Sequence, residues 1–176
     1  MWQPIYNRKG DRVKNMDTKL QAAAKELVGK FSARGITVGT AESCTGGLLA
    51  KLITDIPGSS AVLSGGFVTY TNEVKTALLG VDPDIFARET EVSHACAEAM
   101  AQGAKERLSC TLAVSATGFA GPGVGTEKDP VGTVYLGIAT PNGTYSERFS
   151  APENSTREEV RNAAALRAIK MLLAAL

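Results

Sequence analysis

Residues 36–53 read ITVGTAESCTGGLLAKLI. The first six are β-branched, small and apolar, the signature of a short buried strand. The apolar run Leu48 to Ile53 starts at the Gly46-Gly47 pair and stops before Pro57-Gly58, which is helical punctuation. Strand, tight glycine turn and helix in that order open a crossover unit, and such a unit needs further strands beside it to bury its faces.

The flanking sequence supplies them. Upstream, Leu20, Ala23, Ala24, Leu27, Val28 and Phe31 recur at helical spacing from an N-cap at Asp17 to a stop at Gly35. Downstream, AVLSGGFVTY (61–70) is a second strand whose Gly65-Gly66 predicts a bulge or a close backbone approach. Asn72 then caps a helix that runs to Leu79 and stops at Gly80, and Ser93 starts an alanine-rich helix over 93–108. TLAVSAT (111–117) is a third strand, and GFAGPGVGTEKDP (118–130) is a loop by its glycines and prolines. VGTVYLGIAT and TYSERF, joined through Pro141-Asn142-Gly143, predict a hairpin; Ser155 caps a last helix with Val160, Ala163, Ala164, Leu166, Ala168 and Leu172 on its apolar face. The expected fold is α/β: a three-layer α/β/α sandwich with a mixed, mostly parallel five-stranded sheet, preceded by a poorly ordered lead-in over residues 1–16 and forming a single domain over 17–176.

Composition bounds the function. A chain of 176 residues with 44% hydrophobic and 21% charged residues is neither disordered nor membrane-spanning in character. Lys+Arg 19 against Asp+Glu 18 leaves +1, no footprint for nucleic acid or an anionic membrane, so an anionic ligand must be small and bound locally. Three cysteines, Cys44, Cys96 and Cys110, fit neither a disulfide framework nor zinc spacing, and the polar start lacks the apolar core of a secretory signal; a cytoplasmic location is expected. His94 is the only histidine, at a helix start where capping or solvation explains it. Cys96 and Cys110 read as small buried hydrophobes.

In open α/β sheets ligands gather beyond the carboxyl ends of the strands, which directs attention to three loops. The first, Glu42-Ser43-Cys44-Thr45-Gly46-Gly47, offers three nucleophilic side chains at a helix N-terminus whose N–H groups suit an anion or oxyanion. Either Ser43 or Thr45 serves equally as a simple helix cap, and Cys44 at such a terminus is a rival nucleophile with a lowered pKa. The second loop carries Tyr70 and Lys75, both within reach of the same crevice. With no histidine there, a desolvated lysine is the natural base for a serine and a tyrosine hydroxyl can pass a proton, although a packing tyrosine and a surface lysine are the commoner outcome. The third, Thr117 to Gly125, can wrap backbone N–H groups around a phosphate or carboxylate, but its spacing is neither a Walker loop nor a dinucleotide fingerprint. Arg157 and Arg161 share a face of the last helix, as solvated charges or as phosphate ligands.

TAESCTGGLLAKLIT, IPGSS, GGFVTYTNEVKTALLGV, ATGFAGPG and PVGTVYLGIA, in this order over residues 17–176, resemble the CinA carboxy-terminal domain family, whose members include nicotinamide-nucleotide amidohydrolases. The resemblance implies the same three-layer fold and hydrolysis of the carboxamide of nicotinamide mononucleotide to nicotinate mononucleotide and ammonia. It implies Ser43 as nucleophile, Lys75 as general base and Tyr70 as the proton-transfer partner. Substrate contacts then fall to Cys44, Thr45, Gly46, Gly47, Thr117, Gly118, Ala120, Gly121 and Arg161, with no metal and no cofactor. Val124 stands where the family usually has glycine, and one residue is added before Pro130. Larger relatives add an amino-terminal domain, so a stand-alone form is expected here, as a homo-oligomer and most simply a dimer. The alternative from another class is a catalytically silent nucleotide-binding or interaction module.

Overall fold

The computed structural model describes residues 8–176, with side chains from residue 15 onward. Its elements run α1 (Arg8–Ser32), β1 (Val38–Glu42), α2 (Leu48–Thr54), a 3-10 turn (Ser59–Ala61), β2 (Leu63–Val68), α3 (Asn72–Leu79), α4 (Pro83–Glu89), α5 (His94–Leu108), β3 (Leu112–Gly118), β4 (Thr133–Thr140), β5 (Gly143–Ser150) and α6 (Arg157–Ala174). Strand order is β2-β1-β3-β4-β5. The first three strands are parallel, β4 is antiparallel to both neighbours, and four of the five therefore point one way. The fold class expected from the sequence is the one observed.

The chain steps from β1 to β2 in one direction and then from β2 back across β1 to β3 in the other. Two crossovers of one hand and opposite direction must place their helices on opposite faces. Accordingly α1, α2 and α6 pack together on one face while α3, α4 and α5 cover the other. On the first face Leu27 and Phe31 of α1, Leu49 and Ile53 of α2 and Ile169 and Leu172 of α6 close over Val38, Val114 and Leu136 of the sheet. Each such large side chain contributes roughly 1.5–3 kcal/mol by leaving water. On the second face small residues bring α5 down onto the strands: Ala97, Ala101 and Ala104 are fully buried, and the Ser115 hydroxyl of β3 donates to the Ala97 carbonyl at 2.6 Å.

Gly103 shows how tight that face is. A Cβ there would collide with the Leu79 carbonyl, at the end of α3. Gly103→Ala is expected to lower stability by about 1–3 kcal/mol through overpacking, despite alanine's better helix propensity; a chemical-denaturation midpoint equal to or above that of the parent would contradict this contact.

Several local expectations are corrected. The first helix starts at Arg8, not at an Asp17 cap, so residues 8–16 of the expected lead-in are helical and only residues 1–7 lie outside the described residues. The cap of α3 is Thr71, whose side chain accepts from the Val74 N–H, and Asn72 is the first helical residue. Thr156 rather than Ser155 caps α6, in a reciprocal capping box with Glu159. Helix α4 was not anticipated; Asp82 caps it with Pro83 at its first position. Of the two alternatives at Gly65-Gly66 the close approach holds, since a Cβ on Gly66 would strike the Thr40 hydroxyl, while the register shift falls just before the pair, at Ser64, with Leu63 opposite Val38 but Gly65 opposite Gly39.

Candidate functional site

The strand order reverses at β1, so the crevice at the carboxyl ends of β1 and β3 is where this topology leaves room for a ligand. Its floor is the turn that follows β1. Ser43 leaves the strand with its N–H bonded to the Ala116 carbonyl of β3 at 2.9 Å, and the Thr69 N–H donates to the Glu42 carbonyl at 2.8 Å from the exit of β2. The Ser43–Gly47 turn then delivers the chain into α2 through Gly46 (φ 60°) and Gly47 (φ 91°), left-handed conformations that glycine adopts without a Cβ penalty.

Lys75, on the first turns of α3, comes over this turn from the other side. It is 1% exposed, and its Nζ donates to the Ser43 Oγ at 3.5 Å, a long hydrogen bond between two buried side chains. Burial is the strongest influence on the ammonium and pushes its pKa down, against the opposing pull of Cys96, Glu91, Cys44 and Glu73, in that order. Among the described residues Lys75 has no ion pair. Neither carboxylate nearby in sequence forms an ion pair with it: the Glu42 side chain is spent on the N–H groups of Leu49 (3.0 Å) and Ala50 (2.9 Å), and Glu73, held by the Thr71 hydroxyl, acts on it only at a distance.

Cys44 departs from expectation. Its side chain points into the core, 6% exposed, and burial pushes the thiol up to about 12 instead of down. Desolvation thus favours the protonated thiol, the less nucleophilic form. Cys96 and Cys110 are buried with raised pKa values, as small apolar residues would be.

The N–H groups available for an oxyanion also differ from the simple picture. Those of Leu49 and Ala50 are occupied by Glu42, and that of Gly46 donates back to the Ser43 carbonyl at 3.1 Å. Among the described residues no hydrogen bond engages the N–H groups of Thr45 or Gly47, whereas that of Cys44 is turned to its own thiol. The free donors thus belong to the turn, not to the first turn of α2.

Tyr70 is 62% exposed and bonds to neither Ser43 nor Lys75; its hydroxyl accepts from Arg157 Nη2 at 3.2 Å. Arg157 Nη1 donates to the Gly121 carbonyl at 2.6 Å, so one guanidinium ties the tyrosine to the glycine-rich loop. Arg161, one turn further along α6, donates from Nη2 to the Thr45 carbonyl at 2.7 Å, and its buried Nε has no partner. Neither arginine is paired with a carboxylate among the described residues.

The third loop divides. Gly121 sits at the crevice beside Arg157, whereas the Thr117 hydroxyl is buried and donates to the Glu91 carbonyl at 2.7 Å, and Ala120 belongs to the core. Gly118 is glycine because a Cβ would strike the Thr133 carbonyl across the sheet, a packing reason rather than a ligand's. His94 turns away to β5, with Nδ1 2.8 Å from the Ser146 Oγ and its ring edge-on to Tyr135 at 4.7 Å. Arg157, offered by the sequence only as a solvated charge or a phosphate ligand, is found tying Tyr70 to the glycine-rich loop, and the residue to which sequence reasoning gave no role is Glu42, signalled by an acidic residue closing an apolar strand. Among the described residues no cluster of three metal-ligating side chains occurs, and no helix is long and apolar enough to cross a membrane.

Comparison with known proteins identifies the family and the fold. The model of the CinA C-terminal domain matches residues 20–176. A CinA-like protein of Myxococcus xanthus is 43% identical over 93% of this chain and 38% of its own length, and one of Synechocystis is 50% identical over 79% of this chain and 34% of its own. The chain thus spans under two-fifths of the length of these relatives. Among solved structures, a competence/damage inducible protein from Agrobacterium tumefaciens superposes with a TM-score of 0.86 at 40% identity, covering 89% of this chain and 95% of that one. A competence-damaged protein (CinA) superfamily protein from Escherichia coli gives 0.85 at 31% identity, covering 91% and 92%. A family match over most of the chain, with the fold and the AESCTGG turn in place, means that the chain belongs to the CinA C-terminal domain family.

Proposed function

We propose that this crevice is an amidase site that hydrolyses the carboxamide of nicotinamide mononucleotide to nicotinate mononucleotide and ammonia. The observation that carries the reading is the buried Lys75–Ser43 pair, in which a desolvated amine with no ion-pair partner lies within hydrogen-bond reach of a hydroxyl. Neutral Lys75 takes the Ser43 proton as Oγ attacks the carboxamide carbon. The open Thr45 N–H receives the developing oxyanion, an arrangement worth about 3–4 kcal/mol for a well-placed donor. The tetrahedral intermediate collapses with cleavage of the C–N bond, and the proton held by Lys75 leaves with ammonia. Water, deprotonated by the same amine, then cleaves the ester and restores Ser43. Tyr70, oriented by Arg157, stands at the mouth as a hydrogen-bond donor to substrate; Arg157 and Arg161 are the unneutralised cations that favour a phosphorylated substrate over a neutral amide.

Release of ammonia from nicotinamide mononucleotide, followed in a coupled assay, tests the reading. Turnover with the nucleotide exceeding that with free nicotinamide is expected. Tight nucleotide binding without ammonia would instead identify a silent binding module.

A further inference from the structure

Glu42 is completely buried, lies next to the nucleophile in the chain, and forms no ion pair among the described residues. A carboxylate is not left in such a place without strong hydrogen bonds, and its two oxygens accept from the N–H groups of Leu49 at 3.0 Å and Ala50 at 2.9 Å. The side chain therefore spans the whole Ser43–Gly47 turn and joins its beginning to its end. The other constraints act at its beginning and middle: the Ala116 and Thr69 bonds hold Glu42 and Ser43 to the neighbouring strands, and Arg161 holds the Thr45 carbonyl. At the far end Gly47 supplies no side-chain cap, so the carboxylate caps the start of α2 and ties it by hydrogen bonds to the end of β1, beside the core packing of Leu49 and Ile53.

We propose that Glu42 is a positioning residue for the Ser43 hydroxyl, acting by clamping the turn at both ends so that Oγ stays under Lys75 while the Thr45 N–H remains open. The proposal rests on the serine-nucleophile reading given above. Glutamine has nearly the same shape, but only one of its terminal atoms can accept, so Glu42→Gln loses one of the two bonds and sets an amide N–H against a backbone N–H. The turn is then free to shift at its α2 end, and Ser43 spends less time in line with its base. Near-attack geometry is sensitive to displacements of this size.

The test is the rate at which a fluorophosphonate labels Ser43, located by peptide mass spectrometry, measured from pH 6 to 10 in the parent and in Glu42→Gln. This reaction needs the activated hydroxyl and no amide substrate. The expected result is labelling at least ~10-fold slower in the variant with an unchanged pH midpoint, because Lys75 still governs activation, together with a lowered kcat and a KM within about twofold for the amide. A labelling rate equal to the parent's overturns the proposal, and a shifted midpoint overturns it in favour of an electrostatic action on Lys75. Should Glu42→Gln fail to fold, Glu42→Asp, which keeps the charge but is too short to hold both N–H groups, takes its place with the same outcomes. A parent that labels at Ser43 yet releases no ammonia refutes the amidase reading alone; a parent unlabelled at Ser43 refutes both.

Discussion

Ser43→Ala is expected to lower ammonia release by ~10⁴-fold or more, in line with the loss of a nucleophile that acts as a unit with its base, while the protein remains folded. The fold is not at risk because the Ser43 backbone, not its side chain, ties the turn to β3, and the hydroxyl's one recorded partner is Lys75. Cys44→Ala supplies the contrast. Its thiol is packed in the core and held protonated, with a pKa pushed up to about 12, so the substitution removes a sulfur's worth of packing, about 1 kcal/mol, and leaves most of the turnover. An active Ser43→Ala beside an inactive Cys44→Ala, measured with thermal melts as the folding control, would reverse the assignment.

The Lys75 variants should separate charge from basicity. Lys75→Arg keeps a cation but cannot surrender a proton at working pH, so kcat/KM is expected to fall 10²–10⁴-fold. In the parent, kcat/KM should rise with pH through an apparent pKa below that of a free lysine, because burial disfavours the charged amine. The same burial has a thermodynamic consequence of definite sign. Between the lowered folded value and the unfolded value near 10.4, the unfolded chain binds the extra proton, so stability increases with pH across that window and is least below it. Lys75→Met is therefore expected to be inactive but to melt at a higher temperature near neutral pH, with the advantage shrinking as pH approaches 10. A Lys75→Met protein that melts lower than the parent at pH 7 and no differently at pH 10 would show that the amine is not penalised by burial. Near-normal turnover of Lys75→Arg would move the general-base role to another group.

What the sequence disclosed and what it hid divide along a physical line. The β1 turn, the hairpin and the alanine face of α5 are written in local pattern: β-branched runs, glycine pairs, apolar residues at helical spacing. Helix α4 was equally local, since Asp82-Pro83 is a cap followed by proline at the first helical position, but no apolar stripe draws attention to it. The caps slipped by one residue because Thr71 and Asn72, and likewise Ser155 and Thr156, are pairs in which either member is competent; the box with Glu159 decides the second. The orientation of Cys44 was beyond any local rule: the turn sends its thiol into the apolar layer rather than toward solvent, so desolvation outweighs the influence of the helix terminus. The partners of Tyr70, Arg157 and Glu42 are similarly tertiary. Arg157 reaches Tyr70 from 87 residues away, and only the assembled crevice shows that, among the described residues, Lys75 forms no ion pair with Glu42 or Glu73.

The central claim, that Ser43 attacks and Lys75 activates it, meets its most direct test in a rapid quench of the protein turning over nicotinamide mononucleotide, with the digested peptides analysed for a covalent acyl group. The account predicts an ester of the nicotinate nucleotide on the peptide containing Ser43, placed on that residue by fragmentation, appearing before steady state and absent from Ser43→Ala. An acyl group on Cys44, or undiminished ammonia release by Ser43→Ala, would contradict it.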